Sequence, residues 1–306
     1  MKKRFRLLTN VIILLIVSGF VWYMISVLNK GESTYAETVV ETETFVSPYS
    51  RINSFDISEK INSFDLSDDK LYIASGDSVL IFDLQGKDLD SFVAGNDICD
   101  ITVENSLIYL LFPTRIEVFT ADGQQVNMWE ACSDNSNYYS FTVASGFVFV
   151  TDAENKNICK YTTDGSFLAF INSPRNFIVP SNSFDITNFK DTIYCVNPGR
   201  QQIESYTLKG DFIASFGQPG SQQGAFAGCC NPAYITFTSD GDIITSEKGN
   251  PRISRYGKEG KFKELLLNRK LLGGRTTAYE IKVKGDTIYV AGNKTISIFS
   301  FHGSEV

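Results

Sequence analysis

Short apolar runs bounded by polar loops and turns recur along most of the chain, and runs of this length predict β-strands. The clearest are Leu71-Tyr72-Ile73, Ile108-Tyr109-Leu110, Val148-Phe149-Val150, Ile193-Tyr194-Cys195, Ile243-Ile244-Thr245 and Ile288-Tyr289-Val290. After each comes a polar loop and a further strand ending in an aromatic residue, in turn Phe82, Phe119, Tyr161, Tyr206, Tyr256 and Phe299. A glycine then reverses the chain at Gly86, Gly123, Gly165, Gly210, Gly260 and Gly303, at spacings of 37, 42, 45, 50 and 43 residues. That period suits a four-stranded blade whose loops absorb the variation. One blade cannot bury both its faces alone, so six copies predict an all-β, six-bladed β-propeller over residues 51–306.

The two ends of the array complement each other. The sixth repeat stops after its third strand, whereas Ile52-Asn53-Ser54-Phe55-Asp56 precedes the first repeat and recurs as Ile61-Asn62-Ser63-Phe64-Asp65. The first copy is expected to supply the missing outer strand of blade six, which removes an exposed sheet edge.

Before the array the pattern changes. Lys2, Lys3, Arg4 and Arg6 form a basic tail over residues 1–6, and residues 7–28 carry no charge. Such a run spans a hydrocarbon core of about 30 Å as a helix. The basic cluster predicts a cytoplasmic N-terminus for this signal-anchor and an extracytoplasmic body, periplasmic or extracellular. Cleavage as a signal peptide near Thr34-Tyr35-Ala36 is the rival reading. Residues 29–50 have no apolar period and read as a linker.

Charge narrows the partners. The chain carries −7 in all, but residues 1–30 hold five basic and no acidic side chains, which leaves 23 basic against 35 acidic beyond them. A body at −12 repels phosphate backbones, so nucleic acid is set aside as a partner. No GxSxG, Walker loop or HExxH occurs, and a single histidine, His302, leaves no material for a Ser-His-Asp triad. Gly217 to Gly228 leads into a strand, not a helix, so it reads as a rim loop and not a phosphate cradle.

The stretch Phe147 to Phe170, FVFVTDAENKNICKYTTDGSFLAF, resembles an NHL repeat: an apolar strand, a polar loop with Asp and Asn, an aromatic-ended strand, then Asp-Gly-x-Phe. The likeness is good in blades three to five, while blades one, two and six keep the spacing alone. Gly228-Cys229-Cys230-Asn231-Pro232, with Thr245-Ser246-Glu247-Lys248-Gly249, resembles a form found in membrane-anchored or exported bacterial NHL proteins, and it implies no particular activity. Amidating lyases of this general fold hold a metal with several histidines, which this chain lacks. Lactonases of a related six-bladed fold hold a divalent cation with Glu, Asn and Asp near the axis. By that resemblance Asp65, Asp100, Asp185 and Glu280, in the first strands of four blades, form a candidate ring for a cation such as calcium. The alternative is that each carboxylate caps backbone groups inside its own blade.

Six cysteines are present. Cys195 and Cys159 occupy slots filled elsewhere by core residues or by Glu117 and Glu204. Cys99, Cys132, Cys229 and Cys230 all fall at or before innermost strands, on the face that carries the inter-blade connections. Blade geometry sets Cys229, Cys230 and Asn231 near Glu247, Lys248, Asn250 and Arg252, and these seven are the candidate ligand-binding residues. The adjacent cysteines admit a vicinal disulfide, separate bonds to Cys99 or Cys132, or thiolates activated by Lys248 or Arg252 for metal or redox work. The expectation is therefore a membrane-anchored scaffold that binds protein, peptide or glycan. A metal-dependent, lactonase-like hydrolase and a metal-handling or redox accessory are the alternatives.

Overall fold

A computed structural model describes residues 13–24, 45–181, 183–274 and 277–303. The chain divides into two units, residues 1–46 and 47–306. In the first, residues 13–24 are helical. No helix among the described residues is long and apolar enough to cross a membrane. The expected span 7–28 extends on both sides outside the described residues, as does most of the expected linker.

The second unit consists of strands: β1 (Tyr49–Asp56), then β2 (Ile61–Ser67), β3 (Lys70–Ser75), β4 (Ser78–Asp83) and β5 (Asp88–Val93) in blade one. Blade two holds β6 (Asp100–Glu104), β7 (Leu107–Phe112), β8 (Arg115–Thr120) and β9 (Gln125–Glu130). Blade three holds β10 (Tyr138–Ala144), β11 (Phe147–Asp152), β12 (Asn157–Thr162) and β13 (Phe167–Ile171). In blade four are β14 (Ile186–Phe189), β15 (Thr192–Asn197), β16 (Gln202–Thr207) and β17 (Phe212–Phe216), and in blade five β18 (Tyr234–Phe237), β19 (Ile243–Glu247), β20 (Arg252–Tyr256) and β21 (Phe262–Leu267). Blade six has β22 (Glu280–Lys284), β23 (Thr287–Ala291) and β24 (Thr295–Phe301), and β1 completes it from the other end of the array. The six-bladed propeller is thus as expected, and so is its closure: β1 runs antiparallel to β24 from Tyr49 opposite Phe301 to Asp56 opposite Thr295.

The body starts earlier than residue 51. Buried Ser47 donates its hydroxyl to the Leu266 carbonyl at 2.6 Å, and the His302 amide donates to Pro48 at 3.0 Å. Val46-Ser47-Pro48 lacks the apolar run that marks a strand, which is why the boundary was hidden.

Apolar cores lie at the seams between blades. Tyr72 and Ile81 of blade one meet Ile101 and Ile108 of blade two, and five further clusters repeat this arrangement around the ring. The last seam sets Phe64 and Ile73 of blade one against Tyr289 and Ile298 of blade six, so the ring is closed by burial as well as by hydrogen bonds. Five of the six periodic glycines belong to the same packing. Gly123 and Gly165 turn with φ of 80° and 97°, and a Cβ on either would come under 3.0 Å from Phe92 or Trp129, on the outer strand of the preceding blade. Gly86, Gly210 and Gly260 sit the same way on Phe55, Ile171 and Phe216. Left-handed backbone and close approach both require glycine there, which fixes the period read from the sequence.

Connections entering each blade and loops between second and third strands share one face, as the alternating strand directions require. The turns between first and second strands lie on the other.

Candidate ligand site in the central channel

The first strands line the axis, and their register sorts the inward side chains into two rings. Ser63, Asp100, Ser140, Tyr234 and Glu280 occupy equivalent positions, opposite or beside Ala74, Leu111, Thr151, Ser246 and Ala291 of their neighbouring strands. Asp185, just before β14, takes the same position in blade four, where its carbonyl accepts the Val196 amide at 2.9 Å. Going round, the ring alternates hydroxyl and carboxyl: Ser63, Asp100, Ser140, Asp185, Tyr234, Glu280. Two residues further along each strand lies a second ring of Asp65, Thr102, Thr142, Thr187, Thr236 and Lys282.

The first ring floors a cavity of about 920 Å³ that opens on the face carrying the inter-blade connections, where Lys60, Asn62, Asn96, Asp97, Asn137 and Tyr139 also line it. A second cavity of about 470 Å³ opens toward the opposite face and is lined by the second ring. Asp100, Ser140, Asp185, Tyr234 and Glu280 border both, so the channel is waisted at the first ring.

The sequence-predicted carboxylates do converge, with two corrections. Asp65 lies a ring lower than the other three, and Ser63 stands in its place. The carboxylates also bond the next blade: Asp65 accepts the Val103 amide at 2.8 Å, Asp100 that of Phe141 at 3.0 Å and Asp185 that of Ile235 at 2.7 Å, and only Asp100 among them also caps its own strand, at the Ile101 amide at 2.8 Å. Each thereby ties two first strands together.

Hydroxyls complete the waist. Ser63 Oγ lies 2.6 Å from Asp100 Oδ1 and 2.9 Å from Glu280 Oε1, while Ser140 Oγ lies 2.8 Å from Asp100 Oδ2 and 3.0 Å from Asp185 Oδ1. A hydroxyl has one proton to donate. Four such contacts therefore need two protons from the carboxyls as well as two from the serines. With Asp100 ionised and accepting from both serines, Glu280 and Asp185 donate. Burial raises all three: it pushes Asp185 up to about 7, against the pull of the Ile235 amide, holds Glu280 well above the usual carboxylate range in spite of Lys282, and raises Asp100 too, but Asp100 has the amides of Ile101 and Phe141 as well as both serines to favour its anion. Lys282, 3.5 Å from Asp65 Oδ1 and 3.8 Å from Glu280 Oε1, is the ring's own cation. It stands where the sequence reading looked for a metal, and Lys282, Ser63 and Ser140 went unremarked because neither a lysine nor a serine in a strand is chemically conspicuous alone. Tyr139 lies beside Tyr234 at the waist; burial raises Tyr139, and the neighbouring Tyr139 together with burial raises Tyr234, so both stay phenols.

The rim residues bond largely to one another and to their own loops. Glu247, buried, takes both arms of Arg252, at 2.6 Å from Nε and 3.0 Å from Nη2, and the same guanidinium reaches the Ala225 carbonyl at 2.6 Å. Buried Asn231 donates to the carbonyls of Ala227, at 2.6 Å, and Lys248, at 3.0 Å, and accepts the Lys248 amide at 2.8 Å. Lys248 Nζ reaches Ser181 Oγ at 2.9 Å and Ser183 Oγ at 3.1 Å in the lead-in to blade four. Asn250 and Cys229 are exposed, and Cys230 is buried. The polar atoms of Glu247, Arg252 and Asn231 thus hold the 217–228 loop onto blade five.

Cysteine placement departs from the sequence reading. Cys229 Sγ is 3.2 Å from Cys230 Sγ, and neither is paired with Cys99 or Cys132. Its thiol is raised, by Cys230 first, and Lys248 offers only a weak opposing pull, so an activated thiolate is not what this arrangement favours. Cys99 borders the upper cavity, and burial with Asp100 and Asp97 nearby pushes it up to about 12. Cys132 instead faces Cys159, at 2.6 Å between sulfurs, with Asp152 close by. The alignment that set Cys159 in a slot shared with Glu117 and Glu204 could not show that the lead-in loop of blade three folds back over it.

Ring closure, six seams and an axial channel define a six-bladed β-propeller. Solved structures similar to it include virginiamycin B lyase from Staphylococcus aureus, 15% identical with a TM-score of 0.58 over 83% of this chain and 100% of that one. A catalytically inactive variant of that lyase with quinupristin gives 16% and 0.60, again over 83% and 100%. The WD40 domain of Neurospora crassa Pan2 gives 7% and 0.58 over 86% and 98%. These likenesses show the fold alone. No family model and no curated protein sequence matches the chain.

Proposed function

We propose that this is an NHL-like propeller, tethered outside the cytoplasm by residues 7–28, that binds a short uncharged glycan in the upper cavity of its channel. The tether rests on the basic residues before an uncharged apolar run, part of which is helical. The binding reading rests on one observation, a cavity of about 920 Å³ floored by alternating hydroxyls and carboxyls and walled by asparagines and tyrosines. That volume suits a small ligand. Hydroxyl groups donate and accept at once, as the protonated carboxyls, phenols and amides here do, and the two shared protons leave the floor with little net charge. Its carboxyl oxygens are engaged by hydroxyls, backbone amides and Lys282, which favours binding over the lactonase-like alternative.

The purified full-length chain should bind neutral oligosaccharides saturably in calorimetry, with little dependence on salt. Tyr139→Phe removes one hydroxyl from the cavity and should weaken binding about tenfold. Binding confined to basic peptides with steep salt dependence would replace this reading by a peptide one. Unchanged affinity in Tyr139→Phe would move the ligand out of the channel.

A further inference from the structure

We infer that Cys132 and Cys159 form a disulfide bond that fastens the lead-in loop of blade three to the third strand of the same blade. Cys132 lies between β9 and β10, and Cys159 lies in the middle of β12, opposite Val150. Their sulfurs face each other at 2.6 Å with nothing between them. The loop is held in this position independently: the Cys132 amide donates to the Tyr138 hydroxyl at 3.0 Å, that hydroxyl contacts the Tyr161 hydroxyl, and the Ala131 amide donates to Thr114 at 2.8 Å. Around them pack Trp129, Tyr138 and Tyr161.

A shared metal ion fits less well. Two thiolates bound to one tetrahedral zinc at about 2.3 Å stand roughly 3.8 Å apart. Asp152, the third group in reach, already accepts three backbone amides on Oδ1, those of Asn137, Glu154 and Asn155 at 3.1 Å, and the Asn155 side-chain amide on Oδ2 at 2.8 Å. It closes the loop after β11 and has little left for a cation. Burial also keeps Cys159 a thiol, not a thiolate ready to ligate.

The reaction is thiol–disulfide exchange. Partly exposed Cys132, as thiolate, attacks a small-molecule disulfide such as oxidised glutathione, forming a mixed disulfide and releasing one thiol. Cys159 then loses its proton, attacks the Cys132 sulfur and expels the second thiol. Two protein thiols are oxidised, one disulfide is reduced to two thiols, and the protons leave with the released thiolates.

The full-length chain, folded and equilibrated with oxidised glutathione, would be denatured without reductant, alkylated, proteolysed and examined by mass spectrometry. The expected result is a linked pair of peptides carrying Cys132 and Cys159 that separates on reduction. Reduction, or the Cys132→Ser change, should lower the Tm by about 10 °C, from the loop closed by the bond. Alkylation of both residues, stable glutathione on Cys132 beside free Cys159, or a bond from either to another cysteine would overturn the assignment.

Discussion

The channel waist and the blade-five rim were both picked out in the sequence, and both assemble in space, yet they differ in what their polar groups face. At the rim, Glu247 grips Arg252, Arg252 grips Ala225, and Asn231 grips Ala227 and Lys248, so the cluster is a fastening for its own loop. At the waist the same kinds of groups border two cavities, and their protons are shared along a line from Glu280 through Ser63, Asp100 and Ser140 to Asp185. Convergence alone does not make a site. Groups must also remain turned toward space that a ligand can enter.

The sharpest test of the difference is pH. Asp185 titrates near 7 in the folded protein against about 3.9 unfolded, so the folded state binds the extra proton between these values. For an acid raised in this way, stability falls as pH rises from about 4 to about 7 and levels off above. Three units correspond to at most about 4 kcal/mol. Denaturant unfolding of the full-length chain should therefore give a higher midpoint at pH 5 than at pH 8, and Asp185→Asn should flatten that slope. A midpoint that rises over the same range, with Asp185→Asn unchanged in slope, would mean that the waist carboxyls are ionised and the proton count is wrong.

Rim substitutions should act on stability and not on ligand. Arg252→Ala leaves Glu247 buried without its partner, a loss of about 3 kcal/mol, or roughly 6–12 °C in Tm for a body of this size. Oligosaccharide affinity measured well below that Tm should stay within about twofold of the parent. If affinity falls along with Tm, the rim takes part in binding after all, as its grouping in the sequence suggested.

How far each region was legible follows from its chemistry. The blades were readable because the turn glycines must fit against the preceding blade's outer strand, a requirement that leaves Gly86, Gly123, Gly165, Gly210 and Gly260 at blade spacing. The closing strand was readable because Ile52 to Asp56 repeats Ile61 to Asp65. The waist was half readable: Asp100, Asp185 and Glu280 stand out as acids in apolar strands, but matching by residue type put Asp65 beside them, whereas pairing puts Ser63 opposite Ala74 and Asp65 opposite Tyr72. The adjacent pair Cys229 and Cys230 drew notice by adjacency. Cys132 and Cys159, 27 positions apart, meet only through the path of a loop, which no local pattern encodes.

The smallest expected effect separates exposure from use. Asn250 is the one among the seven rim candidates that is exposed and whose side chain makes no bond among the described residues, so Asn250→Ala should shift stability by no more than about 0.5 kcal/mol. In the channel reading it should also leave oligosaccharide binding unaltered, since Asn250 does not border the upper cavity. Calorimetry on this variant is informative because its fold is not at risk. A clear loss of affinity with an unchanged Tm would place a ligand on the rim face, over blade five, and would make the waist a proton-sharing fastener between blades instead of the floor of a binding site.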